Sequence, residues 1–366
     1  MRMMITGGGT GGHTSPAIAI IEELRKRDPL LMLQWVGRKG NLEERVSRAM
    51  DIPFRSVPVE GWPRGQRWRK AWAAAKLAIG MARAAMFIRG FRPQVVLGVG
   101  GYVSLPLMYA AQRMGVATVV HEQNKRLGLA NRLLAQRARR ILLSYPDTLG
   151  DYPQDRARVV GNPVRAGFAS PPSQAEAKAR LGLAEDAPVV LVCGGSQGAH
   201  TLNVATAELL GRCTRGEIQF LWMTGAAEAE AAREHADKSG LPVQVFPFID
   251  DMVTACAAAD LVVSRAGAST TAELAVLGKP SVLVPYPFAT DNHQEQNARA
   301  LEAAGAAAVI LDDACSGERL AQEIRSILGS PERLAAMAHA AATLARPSAT
   351  ETIAEEILSL VFESAQ

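Results

Sequence analysis

The residues best suited by type to do chemistry stand just past clusters of glycine. Near the start, Met3-Met4-Ile5-Thr6 runs into Gly7-Gly8-Gly9-Thr10-Gly11-Gly12-His13-Thr14-Ser15-Pro16, and an apolar, helix-forming stretch follows from Ala17 to Leu24. This reads as a strand, a tight turn and a helix start. Glycine lets the chain turn sharply and lets a ligand come close to the main chain. The helix start offers unpaired N–H groups and the positive end of its dipole to an anion. His13 stands at the mouth of the turn, and its imidazole takes up a proton near neutral pH, which makes it a candidate general base. The same device recurs at Gly98-Val99-Gly100-Gly101-Tyr102-Val103-Ser104 and at Gly194-Gly195-Ser196-Gln197-Gly198-Ala199. A hydroxyl-rich version follows at Arg265-Ala266-Gly267-Ala268-Ser269-Thr270-Thr271-Ala272-Glu273, where Glu273 lies three residues past Thr270 and both face one mouth. Two polar clusters, His121-Glu122-Gln123-Asn124 and Thr290 to Asn297, close other strands, and Glu122 is a second candidate base.

Gly7, Gly9 and Gly12 satisfy the dinucleotide fingerprint G-x-G-x-x-G, a weak signal alone. A nicotinamide enzyme wants an acidic residue at the end of the second strand to hold the ribose. Here that strand ends Gly37-Arg38-Lys39-Gly40, so NAD is unsupported, and Arg38 keeps NADP open only as a lesser alternative. A lone histidine near a helix start is commonly a cap. Asp250 and Asp251 also read as caps.

The elements that must position these groups alternate strand and helix throughout, which argues α/β. Strands are expected at Met3–Thr6, Leu30–Val36, Phe54–Val59, Val95–Val99, Ala117–Val120, Ile141–Ser144 and Arg158–Val160. Further strands are expected at Pro188–Cys193, Phe220–Thr224, Val243–Phe246, Ala259–Ser264 and Ser281–Pro285. The first helix is expected over Ser15–Arg27, another over Leu42–Met50, and a long one from near Trp62 to Gly90. Each half carries its own glycine loops, so two Rossmann-like domains are expected, 1–163 and 164–346. A final helix after Pro347, within 347–366, is expected to pack back on the first. Two such halves facing across a cleft suit a nucleotide-linked donor held by one and an acceptor held by the other.

At 366 residues, 48% hydrophobic and 21% charged, the chain is long enough for two domains. Its four cysteines, Cys193, Cys213, Cys256 and Cys315, are scattered singly, which argues against a disulfide framework or a zinc site. The glycine cluster interrupts any signal-peptide plan at once. Pro93 to Gln112 is uncharged and long enough to cross a bilayer, but its central glycines and Pro106 read as strand, turn and helix. The formal charge of +4 is unevenly spread: between Gly61 and Pro146 the only acid is Glu122, against fifteen Lys and Arg. Such a field attracts anions. The segment lacks the pattern of a nucleic-acid module, so no nucleic acid is expected, and an anionic membrane is the favoured surface. Trp68, Trp72, Ala75, Ile79, Ala82 and Met86 form one helical stripe flanked by Arg69, Lys76 and Arg83. As a plain helix that stripe is core; as a functional one its Trp-rich, basic start rests on lipid.

Six ordered motifs carry a family likeness: Gly8 to His13, Gly100 to Ser104, His121 to Asn124, Gly161-Asn162-Pro163-Val164-Arg165, Gly194 to Ala199, and Arg265 to Glu273. In order and spacing they resemble the MurG family of glycosyltransferases, family 28. That resemblance implies a GT-B fold and transfer of GlcNAc from UDP-GlcNAc to the C4 hydroxyl of undecaprenyl-diphosphate-linked MurNAc-pentapeptide (lipid I), giving lipid II in peptidoglycan synthesis. It implies a peripheral protein at the cytoplasmic face of the cell membrane, without a cofactor. It places Thr10, Gly11, Gly12 and Asn124 on the donor from the first domain. From the second it places Arg165, Ser196, the Ile249 backbone at the uracil, Ala268, Ser269 and Thr270 at a helix start, Glu273 on the ribose hydroxyls, and Gln294. Tyr102 and His121 fall on the acceptor side, and Trp62, Trp68, Arg69, Trp72 and Lys76 on the membrane surface. Two departures stand out: His293 where some members carry Gln, and Lys125-Arg126-Leu127-Gly128 without the usual proline. The chain has no Asp-x-Asp, so no catalytic metal is expected. A UDP-GlcNAc 2-epimerase, which shares the tandem fold, and a non-catalytic membrane adaptor are the remaining alternatives.

Overall fold

The computed structural model describes residues 1–8, 11–61, 67–214 and 216–363, with the backbone alone for 11–13, 67 and 69. The chain divides into two compact units, Met1–Arg165 with Pro347–Gln366, and Ala166–Arg346.

In the first unit β1 (Arg2–Thr6), α1 (Gly11–Arg27), β2 (Met32–Gly37), α2 (Leu42–Ala49), β3 (Phe54–Ser56), α3 (Arg67–Phe91) and β4 (Val95–Gly98) follow in turn. A 3-10 turn (Tyr102–Ser104) then leads to α4 (Leu105–Arg113), β5 (Ala117–Glu122), α5 (Leu129–Ala135), β6 (Arg140–Leu143) and β7 (Ala157–Val159). The seven strands form one parallel sheet in the order β3-β2-β1-β4-β5-β6-β7. A parallel strand covered on both faces needs an unbroken apolar run, and Met3-Met4-Ile5 and Val95-Val96-Leu97 supply it, all fully buried.

The second unit opens with α6 (Ala166–Ala169), α7 (Gln174–Arg180), β8 (Val189–Cys193), α8 (His200–Leu210), β9 (Gln219–Met223), α9 (Ala229–Ser239), β10 (Val243–Phe246) and α10 (Met252–Ala258). It continues through β11 (Leu261–Ser264), α11 (Ala268–Val276), β12 (Ser281–Leu283), α12 (His293–Ala303), β13 (Ala307–Val309), α13 (Gly317–Leu328) and α14 (Pro331–Thr343). Its six parallel strands run β10-β9-β8-β11-β12-β13. The last helix, α15 (Ala349–Glu363), buries Ile353, Ile357 and Leu360 beside Ile20, Ile21 and Leu24 of α1, in the core of the first unit. Each such aliphatic side chain contributes about 1.5–3 kcal/mol by leaving water.

The observed elements differ from the sequence expectation in four places. Helix α1 begins at Gly11 rather than Ser15, so Gly11 and Gly12 belong to its first turn, and Gly7 and Gly8 are the described part of the turn before it. Strand β3 ends at Ser56, short of Val59. The edge strand β13 was not anticipated: Ala307-Ala308-Val309 is brief and alanine-rich, with little β signal of its own, and pairing to β12 makes it a strand. The largest difference lies in α3. The stripe Trp68, Trp72, Ile79 and Met86 is not core but 66%, 57%, 53% and 59% exposed. Its buried face is instead Ala73, Gly80, Ala84 and Ile88, packed toward α4. A Cβ on Gly80 would fall 2.6 Å from Pro58 O and 3.3 Å from Pro106 Cγ. So close an approach selects small residues for the inner face and leaves the large apolar ones outside. Pro93 to Gln112 folds as β4, the 3-10 turn and most of α4.

Candidate active site

In open parallel sheets, ligands bind at the carboxyl edge where the strand order reverses. That point lies between β1 and β4 in the first sheet and between β8 and β11 in the second. The four loops singled out by their glycines and hydroxyls follow just these strands. The helices they lead into, α1, α4, α8 and α11, carry no acidic residue in the first turn. Ser104, Ala199 and Gly267 at the N-caps of α4, α8 and α11 give no capping hydrogen bond from a side chain. Elsewhere Ser173, Asp251, Ser316 and Ser330 cap α7, α10, α13 and α14, as expected for Asp251.

At the first edge, Gly7 and Gly8 have φ of +134° and +151°, open to glycine alone. The Gly7 carbonyl accepts from Trp35 Nε1 at 3.4 Å. Thr10 lies outside the described residues, as does the side chain of His13. Glu122, expected as an alternative base, is a brace instead. It is buried, and its Oε1 accepts from the Asn124 amide and Asn124 Nδ2 at 3.0 Å each. Its Oε2 accepts from the Gly128 amide at 2.9 Å and Asn131 Nδ2 at 2.8 Å. Four donors thus converge on this one carboxylate. They also hold Asn124 in place. His121, expected on the acceptor side, is fully buried: Nε2 lies 3.2 Å from Gly161 O, and Nδ1 accepts from Gln123 Nε2 at 3.0 Å. Its ring ties the β5 loop to residue 161 and does not face solvent. Tyr102 does stand at the edge, its hydroxyl accepting from Arg38 Nη1 at 3.3 Å.

At the second edge the glycine loops after β8 and β9 interlock. A Cβ on Gly198 would come 2.0 Å from Thr224 O, and one on Gly225 2.5 Å from Gln197 O. That contact holds Ser196 exposed at the tip of a Gly195–Gly198 turn. At the start of α11, Ser269 Oγ is buried and has no hydrogen-bond partner among the described residues. Ala268 is buried and Thr270 half-buried beside it. Burial, reinforced by the Glu273 carboxylate, pushes the Cys193 thiol up to about 12, so it stays protonated and unreactive. Gln294 Oε1 accepts from the Tyr286 amide at 2.9 Å, which spares its NH2 group for another acceptor. The Ile249 amide is partly used, donating to Met223 Sδ at 3.4 Å. Arg165 is exposed, and His293 bonds the Thr290 carbonyl through Nδ1 at 2.7 Å.

Of the expected membrane residues, Trp62 and the Arg69 side chain lie outside the described residues. Trp68 and Trp72 are exposed on α3. Lys76 is not a free cation: it pairs with Glu60 at 2.5 Å and lies over the Trp72 ring. Lys70, Arg83 and Arg89 are exposed along the same helix, and α5 adds exposed Leu129 and Leu133.

Sequence reasoning missed several residues that shape these edges. Asn131 clamps Glu122, and Asn203 joins Trp222 Nε1 to the Thr224 carbonyl. Arg265 Nη1 bonds Asp312 Oδ1 at 2.5 Å and the Val284 carbonyl at 3.1 Å, tying the ends of β11 and β12 together. Glu43 is fully buried although it lies in a charged run, Leu42-Glu43-Glu44-Arg45, that reads as a solvated helix start.

Comparison with known proteins bears on the fold and the family. The glycosyltransferase family 28 N-terminal domain matches residues 3–143, and the family 28 C-terminal domain matches residues 189–353. A UDP-N-acetylglucosamine--N-acetylmuramyl-(pentapeptide) pyrophosphoryl-undecaprenol N-acetylglucosamine transferase from Moorella thermoacetica is 40% identical over 99% of this chain and 99% of its own length. The protein of the same name from Halalkalibacterium halodurans is 37% identical over 96% of this chain and 98% of its own. The crystal structure of Acinetobacter baumannii MurG superposes with a TM-score of 0.81 at 28% identity, covering 98% of this chain and 99% of that one. The UDP-GlcNAc 2-epimerase of Neisseria meningitidis shares the fold alone, with a TM-score of 0.66 at 14% identity over 98% of this chain and all of that one. With both domain models matched in order and near full-length relatives at this identity, the chain belongs to glycosyltransferase family 28.

Proposed function

We propose that the chain moves N-acetylglucosamine from UDP-N-acetylglucosamine to the C4 hydroxyl of undecaprenyl-diphosphate-linked N-acetylmuramyl-pentapeptide, as a peripheral enzyme at the cytoplasmic face of the membrane. The observation that carries this reading is the pairing of open, acid-free helix starts with the switch points of both sheets. The full-length relatives that bear the name of this reaction supply the substrates.

An α-linked donor and a β-linked product require one displacement with inversion. The C4 hydroxyl gives its proton to His13, its oxygen bonds to the anomeric carbon, and the bond to the β-phosphate breaks with its electron pair leaving on UDP. The charge that develops on the diphosphate is met by the N–H groups at the starts of α8 and α11 and by the spare hydroxyl of Ser269. Glu273 accepts the ribose hydroxyls, and Gln294 donates its NH2 to the donor. In the first unit, Thr10, Gly11, Gly12 and Asn124 are the residues assigned to the donor. Tyr102 serves the acceptor.

The membrane part of the reading rests on α3. Lys70–Phe91 is long and apolar enough by composition to cross a bilayer, with a mean hydropathy of 1.3. Yet its Gly80 face packs against Pro58 and Pro106, so the helix lies along the surface of its unit. Its outward tryptophans, Ile79 and Met86, with Lys70, Arg83 and Arg89, have the make-up of an interfacial helix on anionic lipid.

The test is an assay with labelled UDP-GlcNAc and a lipid I analogue. A labelled disaccharide lipid is expected, in undiminished yield with excess chelator, since no step above needs a metal. Conversion of the donor without acceptor would instead favour the epimerase reading. Loss in chelator with recovery in Mg²⁺ would refute the metal-free mechanism.

A further inference from the structure

We propose that Glu43 is a positioning residue for the transfer, a buried carboxylate peg that sets the glycine turn from which α1 departs. It rests on the reading above for the reaction it serves, but the peg itself is a matter of geometry. Glu43 sits in the first turn of α2 and is fully buried. It fills the space between two glycines of different loops. A Cβ on Gly8 would fall 2.5 Å from its Oε2, and a Cβ on Gly37 2.7 Å from its Cγ. Its Oε1 accepts from the Arg38 amide at 3.1 Å and from Asn41 Nδ2 at 3.4 Å. The β2–α2 loop is thus wound around one end of the carboxylate while the β1–α1 turn leans on the other. Arg38 extends the link outward, since its guanidinium donates to the Tyr102 hydroxyl on the next loop of the same edge.

Packing alone does not account for this choice. An aliphatic side chain of similar volume would fill the gap without the cost of taking a charge out of water, commonly several kcal/mol. What the carboxylate adds is direction: its oxygens accept only along set lines, helped by the start of α2. Gly8 stands three residues before α1 and five before His13, so a shift of the turn moves the proposed base and the donor-facing amides together. Displacement by about 1 Å at a reacting group is enough for a 100-fold loss.

The experiment is Glu43→Met, which keeps the volume but offers no oxygen to the Arg38 amide or to Asn41 Nδ2. Amide hydrogen exchange and steady-state kinetics are then measured on the full-length protein. Faster exchange is expected in the peptide spanning residues 5–13, with no change in peptides of the second unit. A fall in kcat of about 30-fold is expected with the donor KM within about threefold of wild type. Unchanged exchange, or faster exchange with kcat intact, overturns the proposal. Where Glu43→Met fails to fold, Asn41→Ala removes one donor from a half-buried loop position. It should loosen the same peptide and lower kcat about threefold; no change in either overturns the peg. A wild-type protein that transfers nothing defeats the reaction reading, whereas the exchange result still decides the peg.

Discussion

Two sets of helix starts in this molecule obey opposite rules. Ser173, Asp251, Ser316 and Ser330 cap α7, α10, α13 and α14, and each accepts a hydrogen bond from the third residue of its helix. At α8 and α11 the N-caps are alanine and glycine, neither of which has a side chain that can accept from the orphan N–H groups, and no acid follows in the first turn. In place of a capping side chain, alanine costs about 1 kcal/mol of stability and glycine a few tenths. The fold accepts that cost at the switch point of the second sheet; α9 and α12 also lack a side-chain cap, but each carries an acid in its first turn, Glu230 and Glu295. The difference is the one the proposed function asks for: N–H groups left open for an anionic ligand.

The contrast can be broken or sharpened by experiment. The largest effect is expected from His13→Ala beside the open start of α1: a fall in turnover of about 10²–10⁴ with an unchanged melting temperature, read from steady-state kinetics and calorimetry. Next comes Gly267→Asp, which turns an open start into a capped one. The φ of −66° suits any residue, and the nearest atom to a new Cβ is Thr270 Oγ1 at 3.8 Å. The protein should melt no lower than wild type, yet its affinity for UDP should drop about 100-fold, because a carboxylate then faces the diphosphate. Equal UDP affinity by titration calorimetry would mean that α11 holds no phosphate. A tenfold effect is expected from Ile79→Asp on the exposed face of α3, seen as weaker sedimentation with anionic vesicles at constant UDP affinity. The smallest is Ser330→Ala on a capped helix. It should lower the melting temperature by about 2–4 °C and leave the kcat of the folded protein untouched.

The two sheet edges also differ in how they are braced, and this bears on what could be foreseen. In the second unit the brace is largely backbone: Gly198 and Gly225 interlock, and glycines of this kind are visible as loop signals. In the first unit it is buried polar side chains, Glu43, Glu122, His121 and Asn131, which look in a one-dimensional reading like surface charge or catalytic groups. Glu122 and His121 were expected to act on substrate because they follow an apolar strand. Their oxygens and ring nitrogens are instead consumed by Asn124, Gly128, Asn131, Gln123 and Gly161.

The order of strands and helices, the division into two like units, and the glycine-marked loops were legible because each depends on local pattern: apolar runs, turn residues and helix breakers act within a few positions of one another. Which face of α3 meets its unit, where Glu43 and Glu122 come to rest, and that Ala307–Val309 is a strand were decided only by the assembled structure. The reason is physical. Burial and pairing belong to contacts between residues far apart in the chain, and a helix of alanines, tryptophans and isoleucines carries no mark of its inner side until Pro58 and Pro106 press against Gly80.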